Sequence, residues 1–405
     1  MRSVEDHLRN VLDGVLPLSP IDVNLLDAQN CVLAEDVSAP WPLPPFDNSA
    51  MDGYAVRVSD VASASLDSPV TLRVIDDVPA GFRASVNVRE GTAIRIMTGA
   101  PLPEGAEAVV PVEGTDAGMP QVKVHRPVVR GQHVRRRGDD VSLGEVVAKA
   151  GAVLGPREIA LLAAVGRGRA LVHPKPRVVV LSTGSELVEP GEPLQPGLIS
   201  DSNGVSMAAA AVEAGAVAYR VGPVKDDAPT LLSTLEDQLV RADLIVTTGG
   251  VSAGAYDTVK AVLSRLGSVE FTKVAMQPGM PQGHGVLGPD RTPIFTLPGN
   301  PVSAYVSFEV FVRPVIRRLL GHADIYRPVV RAVCAETLTS PAGKRQFARA
   351  VLSVEDGRFV VRAAGGQGSH MLGGLSRANA LVVVPEQVTE VKAGEAVAVL
   401  RLDEL

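Results

Sequence analysis

RVVVLSTGSEL, residues 177 to 187, joins an apolar, β-branched run to a short polar turn that holds one glycine. A strand that reads apolar at consecutive positions is buried on both faces, the condition of a strand inside a parallel sheet. Residues 218 to 221, 243 to 247 and 293 to 297 are further β-runs. Helical periodicity separates them near 202 to 214, 229 to 241, 257 to 266 and 301 to 320. That alternation predicts a doubly wound, mostly parallel α/β sheet over residues 177 to 320. Asp201 or Ser202 can cap the first of these helices, and Pro301 suits the first helical position of the last, where a missing amide costs nothing.

Outside this segment the rhythm differs. A chain of 405 residues predicts two to four units at roughly 100 to 200 residues each. MRSVEDHLRNVLDGV, residues 1 to 15, reads as an amphipathic helix, and 21 to 35 as a second helical or mixed segment. PWPLPP, residues 40 to 45, forbids both regular helix and central strand and reads as a rigid connector. Val-rich stretches at 71 to 74, 93 to 97, 108 to 112 and 121 to 124, separated by Gly, Pro and Asp, predict a β-rich subdomain over 46 to 139. Residues 140 to 176 are grouped with 1 to 45 as an N-terminal mixed subdomain. After Gly321 short strands and Gly-rich turns return, predicting a C-terminal β-domain over 321 to 405. Aromatic residues make up only 3% of the chain, so its cores must be built from Val, Leu and Ala.

Lys and Arg number 39 against 45 Asp and Glu, a net charge of -6, so no global attraction to nucleic acid or to an anionic membrane is expected. Anion binding must be local. Residues 121 to 137 carry Lys123, Arg126, Arg130, Arg135, Arg136 and Arg137 without a carboxylate, which suits either an anion site or a solvated loop. Cys31 and Cys334 lie far apart with no metal-ligand spacing. The charged amino terminus has no apolar signal core and no run of about 18 apolar residues occurs, so a cytoplasmic location is expected.

Each Gly-containing loop follows a β-run: Thr183-Gly184-Ser185-Glu186, Gly249-Gly250-Val251-Ser252, and Pro298-Gly299-Asn300-Pro301. In an open α/β sheet ligands bind beyond the carboxyl ends of the strands, so topology alone brings these loops together. Backbone amides, hydroxyls and helix amino termini then describe a phosphate cradle. Any one of the loops alone is equally a plain turn. No Walker lysine and no GxGxxG is present, which disfavours a nucleotide-hydrolysing P-loop or a dinucleotide fold. Glu186 and Asp257 can hold a Mg2+ ion, which needs only one or two protein carboxylates, or can serve as helix-terminus carboxylates. For Asp201, capping is the favoured role. Asp52 can orient a ligand or open an Asp-Gly turn, and Thr98 can donate to an anion from a turn. The histidines, His284 and His370 included, form no pair at metal spacing, and no nucleophilic triad can be built.

The motif series FDNSAMDGYA (46 to 55), MTGAPLP (97 to 103), RRRGDDV (135 to 141), STGSEL (182 to 187), TTGGVSAGAYD (247 to 257) and LPGNPVSA (297 to 304) covers nearly the whole chain. In kind and order it resembles the molybdopterin molybdenumtransferases, whose animal relative is the E domain of gephyrin. The resemblance implies a homodimer of four-subdomain subunits, with a molybdopterin-adenylyltransferase-like fold over 177 to 320. It implies that molybdate and adenylylated molybdopterin are the substrates and that AMP is released with Mg2+. Carried over residue by residue, Glu186 and Asp257 are the metal-linked carboxylates and Asp201 lines their cleft. Asp52, Thr98 and Arg135 come from the other subunit. The loops supply Thr183, Gly184, Ser185, Gly249, Gly250, Ser252, Pro298, Gly299 and Asn300, while Lys273, Arg349 and Ser369 face the cleft. The basic run holds anionic pterin phosphate or molybdate, and a contact with the adenylyltransferase that makes the substrate is expected. Gln277 and Met280 stand where lysines are common in relatives, and TGSEL replaces TGDEL or TGNEL. Two other readings stay open: a scaffold that keeps the fold, and the adenylyltransferase itself, which leaves the β-segments before 130 and after 321 without a purpose.

Overall fold

A computed structural model describes residues 1–250 and 256–403. Contacts divide the chain into two compact units, Met1–Asp22 with Asn30–Ala34 and Leu171–Leu405, and Val23–Gln29 with Glu35–Ala170.

The first unit is organised by a six-stranded sheet in the order Val217–Val224, Arg177–Thr183, Leu244–Thr248, Thr292–Leu297, Pro281–Leu287, Gly267–Lys273. The first four strands are parallel and the last two antiparallel. The fold class is therefore the α/β class expected. The antiparallel edge was not read from the sequence, because Gly267, Gly283 and Gly285 interrupt its apolar pattern. They have a packing reason: a Cβ at Gly267 would sit 2.1 Å from the Val286 carbonyl oxygen, and one at Gly285 2.0 Å from that of Ser268.

Alternate residues of the parallel strands feed two cores. Val178, Val180, Val246 and Phe295 face helix Ser202–Glu213 and the helical run from Pro301 to Leu319. Val179, Leu181, Ile245 and Ile294 face helices Ala228–Leu239 and Tyr256–Leu266. Burial on both sides is why these strands read as continuous apolar runs. Helix Val4–Leu12, capped by the Ser3 hydroxyl accepting from the Asp6 amide at 3.0 Å, puts Val4, Val11 and Leu12 into the first of these cores. The opening helix thus packs with the α/β sheet rather than with residues 140 to 176. Residues 21 to 35 hold strands Ile21–Asn24 and Val32–Leu33 around a turn, not a helix. Asn24, Asp27 and left-handed Asn30 (φ 63) favour turns over helix.

The last long helix is three pieces, Pro301–Ser307, a π-turn at Phe308–Val312 and Arg313–Leu319. The extra residue of a π-turn redirects the side chains that follow it. Glu309, in this turn, is 3% exposed and accepts from Arg327 Nε at 2.9 Å and Nη2 at 3.1 Å. Arg327 also pairs with Glu213.

In the same unit Arg345–Glu355, Arg358–Ala363, Val329–Cys334, Ala396–Arg401 and Ala380–Val384 pair in turn, and the last returns to the first, closing a β-barrel. Met276–Gln277 adds to its rim, parallel to Arg345 and Gln346.

The second unit is built on a five-stranded sheet, Ala108–Pro111, Gly53–Val56, Thr92–Ile96, Val70–Val78, Gln121–Val124. Tyr54 and Val56 feed one core, and Ala55, Ile94 and Ile96 the other. In the proline connector the Trp41 ring lies so close to Gly166 (φ +81) that a Cβ there would overlap it at 2.0 Å. No helix among the described residues is long and apolar enough to cross a membrane.

Removing one partner of a buried pair leaves the other charge uncompensated. Arg327→Met is expected to cost about 3 kcal/mol or more, read as a lowered midpoint of thermal unfolding, with Glu309→Gln in the same background recovering part of the loss.

Candidate active site

Strand Arg177–Thr183 sends its chain to one side of the sheet and its neighbour Leu244–Thr248 to the other. Where two neighbours diverge in this way a crevice opens at their carboxyl ends. The crevice is here a cleft of about 870 Å³, lined by Thr183, Glu186, Asp201, Asp226, Thr248, Gly249, Gly250, the 298–301 loop and His370 among others. Ser182 and Thr248 hydroxyls meet at 3.1 Å on its buried floor, and Thr183 Oγ1 donates to the Thr248 carbonyl at 3.3 Å. Backbone must approach backbone here. A Cβ at Gly249 (φ +93) would lie 2.4 Å from the Thr183 carbonyl oxygen, and one at Gly250 (φ +67) 2.3 Å from Val259. The Gly249 amide donates to the Leu297 carbonyl at 3.1 Å, and Asn203 Nδ2 to that of Gly299 at 2.7 Å, so all three loops are tied together.

The Glu186 carboxylate lies over Gly184, where a Cβ would meet its oxygens at 2.7 and 2.8 Å. Asp226 lines the same cleft, its amide donating to Ser185 Oγ at 3.4 Å and its Oδ1 buried without a partner. Burial raises its pKa above the ordinary carboxylate value, with the nearby Glu186 charge adding to the rise. Among the described residues lining the cleft there is no Lys or Arg. Two carboxylates without a cation suit a hard divalent ion that binds through one or two protein oxygens and otherwise through water and ligand. A group of three or more acidic, His or Cys side chains able to hold a metal is not assembled among the described residues.

Comparison with known proteins decides the family. Residues 2–166 match the model of the MoeA N-terminal region (domain I and II), 179–318 that described as "Probable molybdopterin binding domain", and 331–402 that of the MoeA C-terminal region (domain IV). The chain is 49% identical over 400 residues to molybdopterin molybdenumtransferase 2 of Mycobacterium tuberculosis, covering 97% of this chain and 98% of the relative. It is 35% identical over 387 residues to the molybdopterin molybdenumtransferase of Bacillus subtilis, covering 94% and 90%. The crystal structure of the molybdopterin biosynthesis MoeA protein of Pyrococcus horikoshii superposes with a TM-score of 0.83 at 32% identity, over 100% of this chain and 99% of that one. The chain belongs to the molybdopterin molybdenumtransferase family. Its activity is that of this transferase family in molybdenum cofactor biosynthesis.

Within this transferase the structure brings together Thr183, Gly184, Ser185, Glu186, Gly249, Gly250, Pro298, Gly299 and Asn300, with Asp201 beside them in the capping role favoured for it, and departs from expectation at Arg349 and Lys273. Asp201 is fully buried, and both its oxygens are engaged, Oδ1 with the Gly204 amide at 2.9 Å and Oδ2 with Arg220 at 2.9 Å. It caps helix Ser202–Glu213 and forms the cleft wall without a free oxygen for chemistry. Arg349 is 1% exposed, and its guanidinium donates to the carbonyls of Met371, at 3.0 Å, and Gly366. It holds the 366–371 loop from behind instead of facing the ligand. Lys273 is exposed at a strand end and is not among the cleft-lining residues.

Ser369 reaches the cleft region by backbone, its carbonyl accepting from the Val302 amide at 3.0 Å, which places His370 in the cleft lining. Ser252 lies outside the described residues, as does the Asp257 side chain, though Asp257 falls in helix Tyr256–Leu266. In the second unit Asp52 accepts from the Thr98 amide at 2.7 Å and its hydroxyl at 2.8 Å, contacts that lower its pKa. Strand Val134–Arg135 pairs with Asn48–Ser49 beside them, leaving Arg135 exposed. Arg130 pairs with Glu107 and Arg136 with Asp47, so the basic run is partly neutralised.

Asp226 was missed because it lies before a helix with no glycine motif around it, and His370 because a lone histidine carries no signal. Since folding raises the Asp226 pKa, its contribution to stability is complete below the unfolded pKa and is lost as pH rises through the folded one. Asp226→Asn should therefore raise the thermal midpoint of metal-free protein near neutral pH, with the gain vanishing below the carboxylate range. A gain that persists in acid, or none at neutrality, would disprove the assigned cause.

Proposed function

We propose that the protein inserts molybdenum from molybdate into adenylylated molybdopterin with Mg2+-assisted release of AMP. One observation carries this reading: Glu186 and Asp226 line one cleft with Gly-containing loops at the sheet's switch point, with no Lys or Arg among its described lining residues. Glu186 and Asp257 are assigned as the metal-holding carboxylates, with Asp226 as their neighbour. When bound, Mg2+ neutralises charge on the phosphate oxygens as the phosphate-to-phosphate bond is hydrolysed.

The protein's own groups position rather than attack. Backbone at Gly184, Gly249, Gly250 and Gly299 admits the phosphates closely, Thr183, Ser185 and Ser252 lend hydroxyls, and Asn300 and Pro298 shape the third wall. No Ser-His or Cys-His pair is needed, since water is the acceptor of the bond that breaks. Molybdate is assigned to the side formed by Ser369, with Arg349 fixing the loop that presents it.

Asp52, Thr98 and Arg135 are assigned to the cleft of a second copy, making the enzyme a homodimer with shared sites. The short Asp52–Thr98 contacts present a preformed, ionised carboxylate suited to orient substrate.

AMP release from adenylylated molybdopterin with molybdate and Mg2+ tests the reaction. Glu186→Gln and Asp226→Asn are each expected to slow it by at least about 100-fold; unchanged rates in both would reject the mechanism. Mixing Asp52→Asn with Glu186→Gln chains tests sharing, because each mixed dimer of two inactive partners rebuilds one intact site. Recovery to about a quarter of wild-type activity is expected for a two-fold dimer, whereas mixtures as inactive as their parents would show that each site belongs to one chain.

A further inference from the structure

The C-terminal barrel carries a second cavity of about 630 Å³, in which Gln277, Thr337, Thr339, Ser340, Gln346 and Gln367 supply the polar lining. None of the residues lining it is ionisable. Two of its polar groups are buried without a partner. Gln346 is 5% exposed with Oε1 unsatisfied, and Ser340 is 9% exposed with Oγ unsatisfied. Each such group costs desolvation energy that only a ligand or water can return.

The contrast with Gln367 is instructive. Its Oε1 accepts from the Arg349 amide at 3.0 Å, and its Nε2 donates to the carbonyls of Arg349 at 3.1 Å and Gly365 at 3.2 Å, so its amide is consumed by the fold. Gln346 makes no such bonds although it sits in the middle of a pairing network, opposite Gln277 on one side and Val384 on the other. Register with Gln277 puts the two amide side chains on the same face of the rim, toward the same cavity.

A smaller hollow adjoins the cavity, and its lining residues are near neighbours in sequence of residues in the phosphate cleft. Gln277, Gln367 and Gly368 also line a small hollow of about 230 Å³ together with Ser303 and Ser369. Ser369 precedes His370, and Ser303 follows Pro301 by two residues, both lining the phosphate cleft.

We propose that this barrel cavity binds the uncharged pterin heterocycle of the substrate, with Gln346 and Ser340 reading its lactam edge. The inference rests on the function proposed above, and it moves recognition of the ring out of residues 179–318 and into the barrel. A pterin edge presents a carbonyl, a ring N–H, a ring nitrogen and an exocyclic amine side by side. A primary amide and a hydroxyl can each donate and accept, so they match it in either orientation. Phosphate or molybdate suits the cavity poorly, because an anion buried without a cation or charged donor is unstable there. The lining of the barrel cavity itself offers neutral hydrogen bonding, while Lys344 lines the adjoining hollow.

The test measures affinities of full-length protein for adenylylated molybdopterin and for AMP, which has the phosphate but no pterin. Gln346→Leu and Ser340→Ala are each expected to weaken adenylylated molybdopterin about tenfold and to leave AMP unchanged. Unchanged molybdopterin affinity in both variants overturns the proposal. So does an equal loss for AMP in both, since a pterin subsite cannot affect a ligand without a pterin. Failure of the transferase reading looks different: wild-type protein would bind both ligands yet release no AMP with molybdate and Mg2+.

Discussion

The parallel pairing of Arg177–Thr183 with Leu244–Thr248 is the constraint on which the site depends. The first strand is followed by helix Ser202–Glu213 on one face of the sheet, the second by helix Tyr256–Leu266 on the other. Neither crossover covers the gap between the strand ends. Ser182 and Thr248 close its floor by a buried hydrogen bond, and Gly249 and Gly250 are the only residue type whose backbone conformation and lack of a Cβ fit its wall. A substituent at Gly249 would push its loop from the Thr183 backbone, and one at Gly250 would strike the Val259 side chain, so both close approaches require glycine.

From that geometry the electrostatics follow. The cleft gathers Glu186 and Asp226 but no Lys or Arg, and Asp201, which might have added a third carboxylate, is neutralised by Arg220 and spent as a helix cap. A phosphate chain entering such a site needs a cation that the protein does not itself provide. The raised Asp226 pKa expresses the same deficit. On the proposed function, a site built in this way makes ligand binding depend on a divalent ion.

Much of the fold was legible because the parallel strands are buried on both faces and so write their burial into consecutive residues. The glycine loops were legible because close approach leaves no alternative residue. The antiparallel edge was not, since its strands meet through Gly267 and Gly285, which erase the apolar pattern. Residues 21 to 35 misled by composition, their Asx residues making turns. Within the site Glu186 could be read from its loop, but Asp226 could not, because its proximity arises from the pairing of Val217–Val224 with Arg177–Thr183 and not from any local motif. Arg349 erred in the other direction. It was carried over from the resemblance as cleft-facing, and only its burial shows that it serves the loop.

That burial also explains how the barrel is tied to the α/β sheet beside the cleft. Arg349 binds the carbonyls of Gly366 and Met371 from within the barrel wall, and Gln367 grips the Arg349 backbone in return. The loop so fixed gives its Ser369 carbonyl to the amide of Val302, at the start of the helix that follows the third glycine loop. On the proposed function, a cation placed on the ligand side would compete with a divalent ion for phosphate oxygens. Placed behind the loop, the same charge is spent on carbonyl groups that would otherwise be unpaired, and its work is geometric: it sets where the barrel rim, with its uncharged Gln277 and Gln346, meets the edge of the phosphate cleft.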